Sequence, residues 1–318
     1  MKSLKIWVVE CLKVRFVLAY FGWVVVLVSF WGTAVQAQSQ PLRVVATTGM
    51  IGDLVKNIGQ DKVALEVLMG VGVDPHLYKA TQGDLRRIQR ADVIFYNGLH
   101  LEGKMQAILE KIARKKPVFA VTDRIPRSKL LYLGQGSNSV ADPHVWFDVL
   151  LWRQAAEAVL QRLVEQDRAN AAFYRAQAKR YFARLEALDA WVRQQILTIP
   201  KPQRILITAH DAFGYFGRAY DMEVRGLQGM STATEFGLHD IKRLKDLIVA
   251  RKVKAVFVES SVPKKFLQSL VAGVRESGVP LTIGGELYSD AMGLPNSPAG
   301  TYEGMVRHNV ETIVKALK

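Results

Sequence analysis

The chain has 318 residues, of which 49% are hydrophobic, with one cysteine and a formal net charge of +14. This length is enough for two ordinary domains, and a single cysteine excludes a disulfide-stabilised scaffold. So basic a chain would ordinarily suggest a nucleic-acid partner, but its basic residues are spread through predicted helices, as at Arg175, Lys179 and Arg184, which is typical of a solvated face.

The first 37 residues have the features of a secretory signal peptide in the usual order. A positively charged start precedes an almost unbroken apolar run over 16–30, and small and polar residues then lead to Ala34-Val35-Gln36-Ala37. We expect cleavage after Ala37; a retained membrane anchor is the alternative, because the apolar run approaches the lower limit of a spanning helix. Residues 1–37 account for +3 of the charge and leave +11. Export would separate the mature chain from nucleic acid, so we expect no such partner.

The position of the single cysteine indicates whether the mature chain carries a lipid anchor. Cys11 lies before the apolar run, whereas the expected cleavage point is followed by Gln38, where a lipid-attachment cysteine would have to be. We therefore expect no lipid anchor and no thiol for metal binding. These features predict a soluble periplasmic protein of a double-membraned bacterium.

The rest of the chain alternates short β-branched runs with helical patterns. Strands are predicted over 43–46, 64–68, 93–96, 118–121, 204–208, 223–226, 255–258 and 281–283. Helices are predicted over 51–58, 84–91, 104–113, 240–250, 264–275 and 302–317. This alternation predicts an α/β fold with parallel sheets covered by helices.

One long helix is predicted between the two sets of strands. Apolar residues recur at steps of four and three after Asp167, and Pro200 and Pro202 end the pattern. A helix over 168–198 would be about 45 Å long, which is a rigid connection. We therefore expect a signal peptide at 1–37, an N-terminal lobe at 38–166, a long linking helix at 167–199 and a C-terminal lobe at 200–318, each lobe being a parallel sheet flanked by helices.

Four short segments, which we expect on loops, carry the functional signal. They are DPHLY at 74–78, DPHVW at 142–146, TAHD at 208–211 and YSDAMG at 288–293. Ligand sites of open parallel sheets lie at the carboxyl ends of strands, and His210 and Asp290 follow predicted strands most directly. Since two segments belong to each half, their side chains could converge in a cleft between the lobes.

The residue types in these segments favour a transition metal. In each Asp-Pro-His tripeptide the proline restricts the backbone, and the aspartate can accept a hydrogen bond from the backbone or the imidazole. Three imidazoles and one carboxylate suit zinc and could accept manganese or iron. The set is a poor one for copper(I) without a thiolate, and calcium and magnesium need more oxygen ligands.

The chain resembles the periplasmic zinc- and manganese-binding proteins that supply ABC importers, the cluster A-I metal solute-binding family. The resemblance runs from about residue 42 to the end, on the four segments above and on YNGLHLEGKM at 96–105, DPHVWFD at 142–148, TAHDAFGYF at 208–216, FVES at 257–260 and GGELYSDAMG at 284–293. It implies two lobes joined by one rigid helix, with Zn²⁺ or Mn²⁺ held between them by His76, His144, His210 and Asp290. It also implies delivery of the ion to an ABC permease and its ATPase.

The chain departs from the family pattern in three places. Some manganese-dedicated members have glutamate at the third ligand position, where this chain has His210, which favours zinc or both metals. Many zinc-dedicated members have a histidine-rich acidic loop, but residues 127–141 contain no histidine. Lys79-Ala80-Thr81 replaces the more usual proline-containing stretch after the first motif, and we expect no effect on the ligand.

We expect the remaining histidines, one strand-end glutamate and two aromatic residues to support the fold or the site without binding the metal. We expect His100 and His239 at helix starts and His308 inside the last helix, in surface or packing roles. Glu259 either caps the turn after its strand or orients a ligand histidine. Trp146 and Phe213 are expected to pack and keep the cleft dry.

The leading interpretation is a binding protein and not an enzyme, because four protein ligands leave no open position for an activated water. A zinc hydrolase with Asp211 or Glu259 as general base is the first alternative. An adhesin or metal-chaperone partner on the same fold is the second. We expect a monomer, and a metal affinity that falls as the pH drops through about 6.5, where imidazole takes up a proton.

Overall fold

Two parallel sheets form the frame of the structure, a computed structural model that describes residues 40–134, 139–234 and 237–318. The first sheet has the order β2-β1-β3-β4 and consists of β1 (Leu42–Ala46), β2 (Val63–Val67), β3 (Val93–Tyr96) and β4 (Val118–Ala120). A short antiparallel hairpin follows, made of β5 (Tyr132–Leu133) and β6 (Val140–Ala141). The second sheet has the order β10-β9-β7-β8 and consists of β7 (Ile205–His210), β8 (Glu223–Gln228), β9 (Ala255–Glu259) and β10 (Thr282–Leu287).

The helices of the described residues connect and cover these strands. They are α1 (Gly49–Gly59), α2 (Gln82–Arg90), α3 (Gln106–Ala113), α4 (Val149–Gln166), α5 (Ala171–Leu197), α6 (Gly214–Tyr220), α7 (Leu238–Arg251), α8 (Lys265–Arg275) and α9 (Tyr302–Leu317). Side chains that accept a backbone N–H fix several starts: Thr81 for α2, Asp148 for α4 and Thr301 for α9.

The long helix α5 contacts both halves of the chain, here called the N-terminal half (residues 40–166) and the C-terminal half (residues 200–318). It packs against α1 and α4 of the first half and α6 and α9 of the second. Its predicted apolar stripe is buried, namely Tyr174, Ala178, Tyr181, Leu185, Leu188 and Val192. Near its middle, Tyr181 Oη donates a hydrogen bond to Asp53 of α1 at 3.1 Å. The helix is therefore part of the core, and residues 41–318 form one compact unit.

The structure confirms the predicted fold class. Every predicted strand is present, although β7 continues to His210 and β10 to Leu287, farther than predicted. The linking helix has 27 residues and begins at Ala171 after a 3₁₀ turn over Arg168–Asn170, not at 168. Sequence reasoning did not predict α4, α6 or the β5–β6 hairpin. The lobe boundaries stay a prediction.

The predicted signal peptide over 1–37, together with Cys11, lies outside the described residues. Across the described ranges, no helix has both the length and the hydropathy that crossing a bilayer requires.

Candidate metal centre

The four predicted residues come together at the carboxyl ends of the two sheets. His76 lies in the turn after β2, and His144 directly precedes a 3₁₀ turn over Val145–Phe147. His210 is the last residue of β7, so the prediction that its segment is a loop was wrong for this residue. Asp290 follows β10. All four are buried, with exposed fractions of 4%, 0%, 0% and 2%.

The facing atoms of these residues are close enough to share one ion. Nε2 of His76 lies 3.3 Å from Nε2 of His144. The carboxylate of Asp290 lies 3.3 Å from Nε2 of His210, 3.5 Å from that of His144 and 3.9 Å from that of His76. One donor atom from each residue lies within 4.8 Å of all the others. This group of one carboxylate and three imidazoles is hereafter the His₃Asp cluster.

Several polar atoms of the cluster have no hydrogen-bond partner. Both carboxylate oxygens of Asp290 and Nε2 of His210, the ring nitrogen that faces the cluster, are buried without one. A buried polar atom without a partner costs free energy, and an ionised carboxylate costs most. The donor set present, three nitrogens and a carboxylate, fits a transition metal such as zinc, which would satisfy these atoms together.

Carboxylates behind the imidazoles orient the rings. Asp142 Oδ1 accepts the backbone N–H of His144 at 2.9 Å and lies 2.7 Å from Nδ1 of the same residue. Glu259 accepts the backbone N–H of His210 at 2.8 Å, and its other oxygen lies 2.5 Å from Nδ1 of that ring. A proton held on Nδ1 leaves the Nε2 lone pair free for a metal. The structure therefore favours the orienting role of Glu259 over the capping role.

Asp74, in the first Asp-Pro-His tripeptide, bonds to the backbone of its histidine but not to the ring. Its Oδ1 accepts the N–H of His76 at 2.8 Å, so both Asp-Pro-His tripeptides form the turn that the proline and aspartate predict. Its Oδ2 accepts a hydrogen bond from Thr232 Oγ1 at 2.6 Å. Sequence reasoning missed Thr232, because a loop threonine carries no signal of such a contact.

Burial and mutual charge set the protonation of the cluster. Burial, the largest effect on His76, lowers its pKa from 6.5 to about 4. Burial also acts to lower the pKa of His210, but the carboxylates of Glu259 and Asp290 outweigh it and raise that pKa well above 6.5. Burial acts to raise the pKa of Asp290, yet the imidazoles, above all His210, bring it below its ordinary value. We infer that, when no metal is bound, His210 is protonated and His76 is neutral at neutral pH.

The two aromatic residues predicted to line the cleft pack in different places. Trp146 packs edge-on against His144 with ring centroids 5.2 Å apart and donates Nε1–H to the carbonyl oxygen of Ser289. Phe213 is buried but stacks on Phe147 at 4.1 Å. Both are packing residues as predicted, and Trp146 is the one in direct contact with the His₃Asp cluster.

The remaining histidines lie outside the cluster. His239 is the second residue of α7, and His308 lies within α9 with Nε2 3.0 Å from the carbonyl oxygen of Glu286, as expected for surface or packing roles. His100 is not at a helix start: it has a φ of 63° in the turn before α3, and its Nδ1 lies 2.7 Å from Gln106 Oε1.

Glu259 and Asp211, the two candidate general bases, differ in their surroundings. Glu259 faces Nδ1 of His210, the ring nitrogen turned away from the other members of the cluster. Asp211 has a pKa raised by burial first and by nearby Asp142 second. Since Asp290 lies among the three imidazoles, the arrangement matches a closed set of four donors.

The sequence matches a known family over most of its length. Residues 44–316 match the family described as "ZnuA: Zinc-uptake complex component A periplasmic". The manganese-binding lipoprotein MntA of Bacillus subtilis (strain 168) is 49% identical over 286 residues, which cover 90% of this chain and 93% of that protein. The zinc-binding protein TroA of Treponema pallidum (strain Nichols) is 48% identical over 281 residues, which cover 88% and 90%.

The fold also resembles that of TroA, the second of these relatives. The solved structure of the periplasmic zinc-binding protein TroA from Treponema pallidum matches with a TM-score of 0.84, covering 87% of this chain and 99% of the other. The family match over 44–316 includes every member of the His₃Asp cluster.

Proposed function

The chain belongs to the family of zinc-uptake complex component A proteins, and we propose that it captures one zinc ion with His76, His144, His210 and Asp290. It is a metal-binding solute-binding protein of an ABC transporter for zinc or manganese, and it is a transport binding protein, not an enzyme. The ion is its transported substrate. Under this proposal the chain delivers it to an ABC permease, which is driven by a cytoplasmic ATPase and separates the ligands to release the metal.

One observation carries the proposal. Both oxygens of the Asp290 carboxylate are buried without a hydrogen-bond donor and face three imidazoles. Without a bound cation, the proton on His210 would be the main counter-charge for this buried carboxylate, and neither of its oxygens would accept a well-formed hydrogen bond. Divalent metal binding gives the Asp290 carboxylate and the opposing nitrogens a common partner.

The spacing of the donors fits one small ion, and the donor types support zinc as the preferred metal. A tetrahedral zinc with bonds of about 2.0–2.1 Å has ligand atoms about 3.3–3.4 Å apart. The pairs His76–His144 and His210–Asp290 are both separated by 3.3 Å, whereas Asp290 lies 3.5 and 3.9 Å from the Nε2 atoms of His144 and His76. Manganese accepts the same donor types and remains the second candidate, with a bidentate Asp290 completing a larger shell.

A zinc hydrolase and a metal-binding adhesin on the same fold are the alternatives. In a hydrolase Asp290 would leave the metal and a water would replace it. Ester or phosphoester turnover that requires metal and is lost in His76→Ala would favour the enzyme. A gene neighbourhood without a transporter, and normal growth of a deletion strain under metal starvation, would favour the adhesin.

The protein acts outside the cytoplasm, as expected of this family. In the finer proposal it is a soluble periplasmic monomer, cleaved after Ala37 and without a lipid because Gln38 follows. The proposed lobes span 38–166 and 200–318, with the linking helix at 167–199. N-terminal sequencing and intact mass of protein taken from the periplasm would check the cleavage point and the absence of lipid.

Metal titration of the chelator-stripped protein tests the function directly. We expect one zinc per chain, tighter than manganese in competition, and binding lost or reduced at least a hundredfold in Asp290→Ala. Asp240→Ala, a carboxylate on the surface helix α7, is the matched control and should bind as the wild type does. Metal analysis of native protein from the periplasm would identify the physiological ion, because metal content also follows supply.

A further inference from the structure

The two Asp-Pro-His segments are attached to the C-terminal half in different ways. Buried hydrogen bonds fix the second segment there: from Tyr215 Oη to the Asp142 carbonyl oxygen (2.9 Å), from Trp146 Nε1 to the Ser289 carbonyl oxygen (3.0 Å) and from Tyr302 Oη to the Trp146 carbonyl oxygen (2.6 Å). His144 lies inside this segment. His144 belongs to the N-terminal half of the sequence, where Asn97 Nδ2 donates to the Pro143 carbonyl oxygen, but it is also held by the half that carries His210 and Asp290.

The first segment, residues 74–78, makes fewer hydrogen bonds to the C-terminal half. Thr232 Oγ1 of the C-terminal half donates to Asp74 Oδ2 at 2.6 Å. Apart from contacts within the His₃Asp cluster, no other hydrogen bond joins 74–78 to that half among the residues that the structure describes. Leu77, next to His76, is 50% exposed although Pro75 and His76 are buried, so this segment borders the surface.

The backbone carbonyl of Thr232 is itself bonded to the end of strand β8. Gln228 is the last residue of β8 and pairs with His210 in β7. Its Nε2 donates to the carbonyl oxygens of Thr232 and Thr234 at 2.6 and 2.7 Å. Thr232 is thereby tied to the strand pair that positions His210.

A continuous set of contacts therefore joins two members of the cluster from opposite halves. On one side, Asp74 holds the backbone of His76 through Oδ1 and the hydroxyl of Thr232 through Oδ2. On the other, Thr232 is held by Gln228, which pairs with His210. Moving the first segment away from the C-terminal half requires that the Thr232–Asp74 bond break.

We propose that Thr232 is a positioning residue that holds His76 against the metal through Asp74 and thereby sets the rate at which the metal leaves. The inference rests on the proposed metal-binding function and adds the element that retains the ion. His76 is the ligand that withdraws on release, because the other imidazole of the N-terminal half is fixed by buried bonds. If a hydrogen bond to a charged acceptor must break before the metal leaves, its loss should raise the dissociation rate about tenfold or more.

Stopped-flow dissociation of zinc into an excess of a chromogenic chelator tests this. Thr232→Val removes the hydroxyl at nearly constant volume and should release zinc about tenfold faster than the wild type. Thr232→Ser keeps the hydroxyl and should restore a rate close to that of the wild type. Thr198→Val removes a threonine hydroxyl at the end of α5, far from the cluster, and serves as the matched control.

Two further readouts separate positioning from general damage. The association rate of zinc and the unfolding temperature of the metal-free protein should be the same in Thr232→Val and the wild type. Equal dissociation rates in these two proteins would overturn the inference, as would a Thr232→Ser variant as fast as the valine variant. If the wild type takes up no zinc at all, the proposed function itself fails; if it takes up one zinc and the valine variant releases it normally, only the role of Thr232 fails.

Discussion

Nδ1 of His210 lies 2.5 Å from Oε2 of Glu259, and both side chains are completely buried. The same glutamate accepts the backbone N–H of His210, so it fixes the ring and the end of strand β7 together. An orienting carboxylate of this kind makes the opposite ring nitrogen a better metal ligand.

Removing the charge of Glu259 should weaken metal binding without removing a ligand. We expect Glu259→Gln to lower zinc affinity by about 10- to 100-fold, because the amide keeps the shape but, without the negative charge, stabilises a proton on Nδ1 much less. Competition titration against a chelator of known affinity measures the change. Glu157→Gln, on the exposed side of α4, should bind as the wild type does. Unchanged affinity in Glu259→Gln would contradict the orienting role.

Zinc binding should release a proton and weaken as the pH falls. The pKa of His210 is raised well above 6.5, so at neutral pH the metal must displace the proton on this ring. Since protons and metal compete, affinity should fall by about tenfold for each pH unit below that raised pKa. His76, with a pKa of about 4, should add to the slope only near pH 4.

Calorimetry in two buffers of different ionisation enthalpy counts the released protons. We expect about one per zinc at pH 7, and fewer in Glu259→Gln, where the largest charge that raises the pKa of His210 is removed. Affinity that stays constant from neutral pH to about 5 would contradict imidazole ligation by His210.

The fold and much of the cluster could be predicted because their signals are local. Each strand is a short β-branched run, and the α5 stripe recurs at helical spacing. Helix α4 was missed although its signal is equally local: its buried residues include Val149, Trp152, Ala156, Val159 and Leu163, which recur at helical spacing.

Other features depend on contacts between distant parts of the chain. The sequence places Glu259 at a strand end, but only the pairing of β7 with β9 in one sheet brings it to His210. The Thr232–Asp74 bond joins residues 158 positions apart. His100 was placed at a helix start, yet its φ of 63° belongs to a turn that local propensity does not specify.

The Tyr181–Asp53 hydrogen bond should contribute to the stability of the linking helix. Burial is the main effect that raises the pKa of Asp53, and the Tyr181 hydroxyl partly offsets it. Tyr181→Phe removes that donor from a buried acceptor and should lower the free energy of unfolding of the metal-free protein by about 1–3 kcal/mol. Urea denaturation measures the loss. Tyr132→Phe, at an exposed tyrosine, should change it by less than about 0.5 kcal/mol.

A backbone substitution at the end of α7 should act in the opposite direction. Lys252 follows the helix with a φ of 50°, a left-handed conformation that favours glycine. Lys252→Gly should raise the free energy of unfolding by about 0.5–1 kcal/mol. Lys242→Gly, inside the same helix, should lower it by about 1 kcal/mol. If both variants shift stability in the same direction, the left-handed position is not the cause.

X-ray absorption at the zinc edge of the loaded protein tests the central claim most directly. The account predicts one zinc per chain with four nitrogen and oxygen neighbours at about 2.0–2.1 Å, including the outer scattering of three imidazoles. The imidazole signal should fall by one ring in His76→Ala. A shell of six oxygens without imidazole scattering would contradict the claim that His76, His144, His210 and Asp290 hold the metal.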